Sequence, residues 1–304
     1  MRTKSWFFSA ILLILIGTAG VVAFDFKLSE DTPAYSKTWT IEQGDLEQLL
    51  YDNDRALTVR FEPATDGKTT VTLSGNMYQK QIDALQTIKA DKGVLDINIP
   101  HDSFRLMEIN FDLWKSNRQE LIVKLGNPDA LQLFSIYSSS GSVKVSGAAA
   151  DKIKIASGSG SMKLEDIKGD TVEIKAGSGS MTLDNLKGNE ILIDSDSGSV
   201  TGKGITGSSK ITADSGSVRL SDMNGPSTVA VGSGSIRFAQ APESADSVTI
   251  ETDSGSVRVT PSAKFQGSYD LRSDSGSVKA PDSKATSTEV IKVRSDSGSI
   301  RIIQ

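Results

Sequence analysis

The run Ile155-Ala156-Ser157-Gly158-Ser159-Gly160-Ser161-Met162-Lys163-Leu164 is matched, 19 residues later, by Ile174-Lys175-Ala176-Gly177-Ser178-Gly179-Ser180-Met181-Thr182-Leu183. The shared core, Ser-Gly-Ser followed by Val, Ile or Met, occurs nine times, with its glycines at Gly141, Gly160, Gly179, Gly198, Gly216, Gly234, Gly255, Gly276 and Gly298. Spacings of 18 to 22 residues are what a solenoid needs, because each coil must return to the same corner before the next stacks on it. Four residues before each first Ser stands an apolar residue: Ile136, Ile155, Ile174, Ile193, Ile211, Val229, Ile250, Leu271 and Val293. Directly after each corner come Val143, Met162, Met181, Val200, Val218, Ile236, Val257, Val278 and Ile300. Two residues further on the apolar column continues, with Gly202 and Ala280 as its exceptions. Alternation of this kind in short runs bounded by Gly and Ser marks strands with one buried face, and helical periodicity is absent. The expected fold is all-β: a single-chain β-solenoid, like a parallel β-helix, of ~20-residue coils over residues 134–304, about 43 Å long at ~4.8 Å per coil. The corner glycines are structural turn residues, expected at positive φ where a Cβ is penalised.

The composition fits a thin core of methyl-bearing side chains. Only 6% of the 304 residues are aromatic and 27 are Gly. A net charge of -5 gives no electrostatic reason to bind nucleic acid. The absence of Cys excludes disulfides, thiol nucleophiles and Cys-ligated zinc, and the single His101 leaves little for acid–base chemistry, so its default is a solvated loop residue. Ser157-Gly158-Ser159-Gly160-Ser161 is not a phosphate-cradling loop, since no Gly-Lys-Ser/Thr follows it. The expectation is a non-enzyme with no cofactor.

Outward positions at the corner carry charge. Asp196, Asp214, Asp253, Asp274 and Asp296 precede the Ser; Lys144, Lys163, Arg219, Arg237, Arg258, Lys279 and Arg301 follow the apolar residue. The first reading is a set of Asx-type turns whose stacked carboxylates are offset by the basic ladder beside them. The sharper alternative is a cation or glycan site along Asp253, Asp274 and Asp296, against which the basic neighbours argue.

Upstream, residues 1–5 form a basic tip with Arg2 and Lys4, and residues 6–24 an uncharged run of 19 whose helix spans ~28 Å, close to a bilayer's hydrocarbon core. This predicts a transmembrane signal-anchor through the lipid bilayer, N-terminus in the cytoplasm and C-terminal domain outside. A cleaved signal peptide is the rival, and it exports the rest equally. Residues 25–36 read as a tether, and 37–133 as an N-terminal β region with cap elements and degenerate coils, including strand-like pieces at 56–61, 70–73, 94–99 and 121–125. Tyr78, Ile82 and Leu85 predict a covering helix within 76–89, with Asn76 as its cap. Residues 101–120 fit helical and strand spacing alike; their large apolar residues read as cap or core, or as a partner-binding loop with Trp114 as its contact. The chain's end leaves Ile300, Ile302 and Ile303 at an exposed strand edge, a candidate for homo-oligomer formation through Ile302. Residues 25–202 carry a net charge of -8 (19 basic, 27 acidic) and residues 203–304 one of +1 (12 basic, 11 acidic), which favours a rod held upright from an anionic membrane.

The run Leu121-Ile122-Val123-Lys124-Leu125-Gly126-Asn127-Pro128, then Leu133-Phe134-Ser135-Ile136-Tyr137-Ser138-Ser139-Ser140-Gly141-Ser142-Val143 and the tandem Ser-Asp-Ser-Gly-Ser-Val units, resembles the bacterial domain-of-unknown-function family known as the "putative adhesin" family. With the N-terminal apolar segment it is similar to that family's LiaG-like members. The resemblance implies a β-solenoid on the outer side of the membrane, encoded beside a system that senses envelope damage, with no catalytic residues to carry over. Three functional classes follow: an extracytoplasmic scaffold or adhesin-like binding module for a protein or cell-wall polymer, a regulatory or sensory partner of other membrane proteins, and, least favoured, a polysaccharide-active enzyme, whose groove would need non-repeated charges.

Overall fold

The computed structural model describes residues 32–41, 45–100 and 118–303. Its N-terminal part holds strands β1 (Ala34–Ile41), β2 (Gln48–Asn53), β3 (Ala56–Pro63), β4 (Thr69–Asn76), β5 (Val94–Asn98) and β6 (Arg118–Leu125), with helix α1 (Gln79–Thr87) between β4 and β5. The regular coils follow in β7 (Leu133–Ser138), β8 (Val143–Ser146), β9 (Lys152–Ser159), β10 (Met162–Ser178), β11 (Met181–Ser197) and β12 (Val200–Ser215). The remainder is β13 (Val218–Met223), β14 (Ser227–Ser233), β15 (Ile236–Gln240), β16 (Val248–Ser254), β17 (Val257–Thr260), β18 (Ser268–Ser275), β19 (Val278–Lys279), β20 (Val290–Ser297) and β21 (Ile300–Ile302). All join one hydrogen-bonded sheet wound into a β-solenoid.

Each coil has three sides. In the coil that begins at Met162, side chains Met162, Leu164, Ile167, Val172 and Ile174 all point into the core and are at most 1% exposed. Register is residue for residue: Met162 lies beside Met181, Ile167 beside Leu186, Ile174 beside Ile193. Burying each such side chain stabilises the stack by about 1.5–3 kcal/mol, and the parallel ladder satisfies the backbone. The corners divide the work between residue types. The Ser-Gly-Ser glycines stack backbone on backbone: a Cβ built on Gly179 would sit 2.3 Å from the carbonyl oxygen of Gly160. Seven of the nine have positive φ; Gly141 and Gly276 do not. A second bend, where the return segments such as 166–169 and 185–188 begin, is the left-handed column Gly147, Asp166, Asn185, Gly204 and Asp222, with φ from 54° to 74°. Only Gly, Asp and Asn occupy it, the residues that tolerate this region best.

Both ends break the order of the chain. On the strands before the corner the spatial order begins β5–β2–β7, and on those after it β6–β3–β8, so the coil of β5 and β6 lies outside the earlier coil of β2 and β3. Strand β4, expected to be a degenerate coil, instead runs antiparallel to β6, and β1 antiparallel to β4. β1 starts at Ala34, inside the stretch read as tether. Helix α1 begins at Gln79, with Tyr78 rather than Asn76 at its cap: the Tyr78 amide donates to Gln81 Oε1 at 3.2 Å, and Asn76 ends β4. The helix buries Gln81, Ile82 and Leu85 over this end of the core. At its C-terminus Lys37 Nζ and Trp39 Nε1 donate to the carbonyl of Ile88, at 2.8 and 3.0 Å, supplying partners where helices lack them.

The C-terminal end is inverted in the same way. β20 lies between β16 and β18, and β21 between β17 and β19. The glycine column therefore runs Gly255, Gly298, Gly276. Ile302, expected at an exposed edge, is 5% exposed and paired with Val259. The open edge belongs to β18 and β19, where Val278 is 42% exposed. Apolar content explains the exchange: Ile291, Val293, Ile300 and Ile302 fill four inward positions of the inner coil, whereas the outer coil offers Tyr269, Leu271, Val278 and Ala280. Placing the richer coil between two neighbours buries both of its flanks. The crossing link is anchored by buried Phe265, stacked on Tyr269 at 5.7 Å.

Candidate binding surfaces

Alternation fixes what the solenoid shows to solvent. In the strands that follow the corner the first outward column reads Lys144, Lys163, Thr182, Thr201, Arg219, Arg237, Arg258, Arg301 and Lys279, all exposed. The pairs Arg219–Arg237, Arg237–Arg258, Arg258–Arg301 and Lys279–Arg301 are in direct register. Five cations thus stand in one line at strand spacing, about 19 Å from end to end.

Among the described residues no carboxylate pairs with this line. Lys163 pairs with Glu165 at 2.6 Å, but among the described residues Arg219, Arg237, Arg258, Arg301 and Lys279 make no salt bridge. The reason is local. Where the earlier coils have Glu165 and Asp184 as the next outward residue, the later ones have Ser221, Ala239 and Thr260. The aspartates expected to balance the ladder lie before the corner, which turns them onto another side of the coil. Of them Asp274 pairs with Arg272, two residues away on its own strand, at 3.0 Å.

Asp253, Asp296 and Asp274 are brought side by side by the register of their flanking residues, in that order. Among the described residues no three carboxylates or imidazoles converge as a metal would require. Asp270 is held below the ordinary carboxylate range by the guanidinium of Arg294, whose Nη1 also donates to the Asp270 carbonyl at 2.8 Å. Trp114 and His101 lie outside the described residues, as does the apolar run 6–24; no helix among the described residues is long and apolar enough to cross a membrane.

Among the described residues, two of the shallow grooves run along several coils. One, of 400 Å³, runs beside the cationic line and is lined by Arg219, Arg237, Arg258, Thr201, Ser221 and Thr260, with Phe238 beneath. The other, of 440 Å³, lies at the third corner, where Lys168 and Lys187 alternate with Asp151 and Asp170. Its charges are mixed, and Asn189 Nδ2 donates to Asp170 Oδ1 at 3.0 Å, which closes part of it on itself. On the other flank of the cationic line the corner serines form a hydroxyl row, with Ser217 and Ser235 at 3.3 Å and Ser277 donating to Ser299 at 3.3 Å. The basic column was visible in the sequence; its lack of acidic partners was legible only in Ser221, Ala239 and Thr260, which the repeat alignment passes over.

One buried polar cluster sits at the N-terminal end. Tyr51 donates to Gln119 Oε1, and Asn53 Nδ2 donates to the same oxygen at 2.6 Å and to the Tyr51 hydroxyl at 3.1 Å. Burial pushes the Tyr51 phenol far above its ordinary value. The neutral form is therefore favoured by folding, and its contribution is fully present below the unfolded value near ~10 and lost as pH rises beyond it. Tyr51→Phe is expected to lower stability at pH 7 by about 1–2 kcal/mol, because Gln119 loses a donor. Urea unfolding at a series of pH values should show that variant losing less stability above pH 10 than the parent; parallel profiles would refute the assignment.

The sequence matches the family model described as Toastrack DUF4097 over residues 50–303. No curated protein shows a match. Among solved structures, a "putative adhesin" from Parabacteroides distasonis superposes with a TM-score of 0.51 at 15% identity, covering 90% of this chain and 98% of that one. A "putative lipid binding protein" from the same organism gives 0.51 at 13% identity, covering 90% and 99%. These likenesses are of fold.

Proposed function

Because the chain belongs to the Toastrack family, we propose that it is a non-catalytic binding rod of the bacterial cell envelope, held at the outer face of the membrane by residues 6–24. The observation that carries the reading is the outward columns: a hydrogen-bonded stack holds identical chemistry in register over many coils, as extended recognition surfaces do. The charges repeat along an axis and do not converge on one reacting atom, which is the wrong geometry for catalysis. The names of the two P. distasonis structures, "putative adhesin" and "putative lipid binding protein", support a binding role. A place in the envelope-stress response belongs to the same reading and rests on the resemblance to LiaG-like proteins.

The orientation has a direct test. The chain has no Cys, and Lys284 lies in an exposed return loop, so Lys284→Cys gives a single thiol. In intact cells a membrane-impermeant maleimide is expected to label it as fully as after lysis. Labelling only after lysis would overturn the exterior placement.

A further inference from the structure

We infer that the line Arg219–Arg237–Arg258–Arg301–Lys279 is the seat for one extended strand of an acidic polysaccharide, lying along the rod axis. This inference rests on the binding-rod reading and names the ligand class for it. Four features on the molecule point to a thread-like polyanion. The five cations are in register, one per coil, and have no ion-pair partner among the described residues. Like charges stacked at strand spacing repel, so the arrangement is destabilising alone and is relieved by a bound anion. The line is one side chain wide, and its first three cations, Arg219, Arg237 and Arg258, line a 400 Å³ groove, a shape that matches a single strand. Hydroxyl rows border it, Ser217 with Ser235 and Ser277 with Ser299 on one side, Ser221 and Thr260 on the other.

Two further points select the polymer. Single-stranded nucleic acid needs aromatic platforms for its bases, and the exposed large apolar residues among those described are Tyr137 and Val278, neither in this groove. A pyranose ring in an extended glycan advances the chain by close to the ~4.8 Å between coils. A carboxylate or sulfate on every sugar or every second sugar therefore meets a guanidinium at each or alternate coils, while sugar hydroxyls face the serine rows. Guanidinium groups hold such oxyanions with paired, charge-assisted hydrogen bonds.

The folded order sets the succession of charges along this line. Arg301 stands between Arg258 and Lys279, although Lys279 precedes it in the chain. The charge distribution agrees, with the acidic surplus confined to residues before 203.

The test uses the full-length chain, fluorescently labelled polygalacturonate of more than ten sugars, and EDTA. Binding is expected to weaken with salt, with a slope of log Kd on log salt of about 4 for five released counterions. The variant R219Q/R237Q/R258Q/R301Q should bind at least ~100-fold more weakly at low salt, with the slope reduced to ~1. A control, K144Q/K163Q, changes the same column where Glu165 already pairs with Lys163, and should bind like the parent. Circular dichroism confirms that both variants fold. Unchanged binding by the quadruple variant, equal loss in the control, or no binding by the parent would overturn the site. Equal binding of neutral dextran would refute the charge requirement, and equal binding of poly(glycerol phosphate) would refute the match to sugar length. Any of these results leaves the labelling of Lys284→Cys untouched, so a failed ligand class and a failed exterior rod are told apart.

Discussion

Gly234→Ala is expected to lower the unfolding free energy by about 3–5 kcal/mol, enough to melt the coils around it. Two costs add. Gly234 has φ of +144°, a conformation that a side chain strains by about 1–3 kcal/mol. A Cβ there would also lie 1.8 Å from the carbonyl oxygen of Gly216, a backbone atom that cannot rotate away. Separating the two coils to make room stretches the parallel ladder on both sides of the corner. Gly67→Ala is the matched control. Gly67 has φ of +71° but nothing within 4 Å of the new methyl, so only the conformational cost of about 1 kcal/mol applies. Equilibrium urea unfolding distinguishes them, and equal losses would mean that the corners are loose turns and not stacked contacts.

The second large effect separates two residues that the repeat treats as equivalent. Val278 and Ile300 each follow a Ser-Gly-Ser corner directly. Ile300 lies between Val257 and Val278 and is 1% exposed, so Ile300→Lys buries an unpaired charge at a cost of about 4 kcal/mol or more. Val278 is 42% exposed on the outermost coil, so Val278→Lys should change stability by less than about 0.5 kcal/mol. If the coils instead stacked in chain order, the lysine at 300 would be the harmless one. Melting temperatures of the two variants decide between the orders.

Much of this architecture is written in the chain. The inward columns through Ile174 and Met181 and the glycines of the first corner are repeated so often that their period alone specifies coil length and face. Asp166 and Asn185 mark the return of each coil in the sequence, but their left-handed conformation was not legible there, because Asp and Asn also mark ordinary turns. The cationic surface was half legible. The repeat places Arg219, Arg237 and Arg258 in one column, but whether a neighbouring aspartate neutralises them depends on which side of the corner each strand occupies. Reading β4 as a coil failed for a related reason: alternation reports a half-buried strand and is silent on whether its partner runs parallel or antiparallel.

By itself, then, the sequence determined an all-β solenoid of roughly twenty-residue coils, with apolar columns inside and polar columns outside, because side-chain alternation and backbone contact at the corner are properties of each coil alone. Tertiary structure decided which coil touches which. Coils that share one motif offer nearly interchangeable faces, so the order at the two ends is settled by burial: the coil with Ile291, Val293, Ile300 and Ile302 moves inside, and the poorer one takes the edge. That exchange also sets Arg301 beside Arg258, which no reading along the chain would have joined.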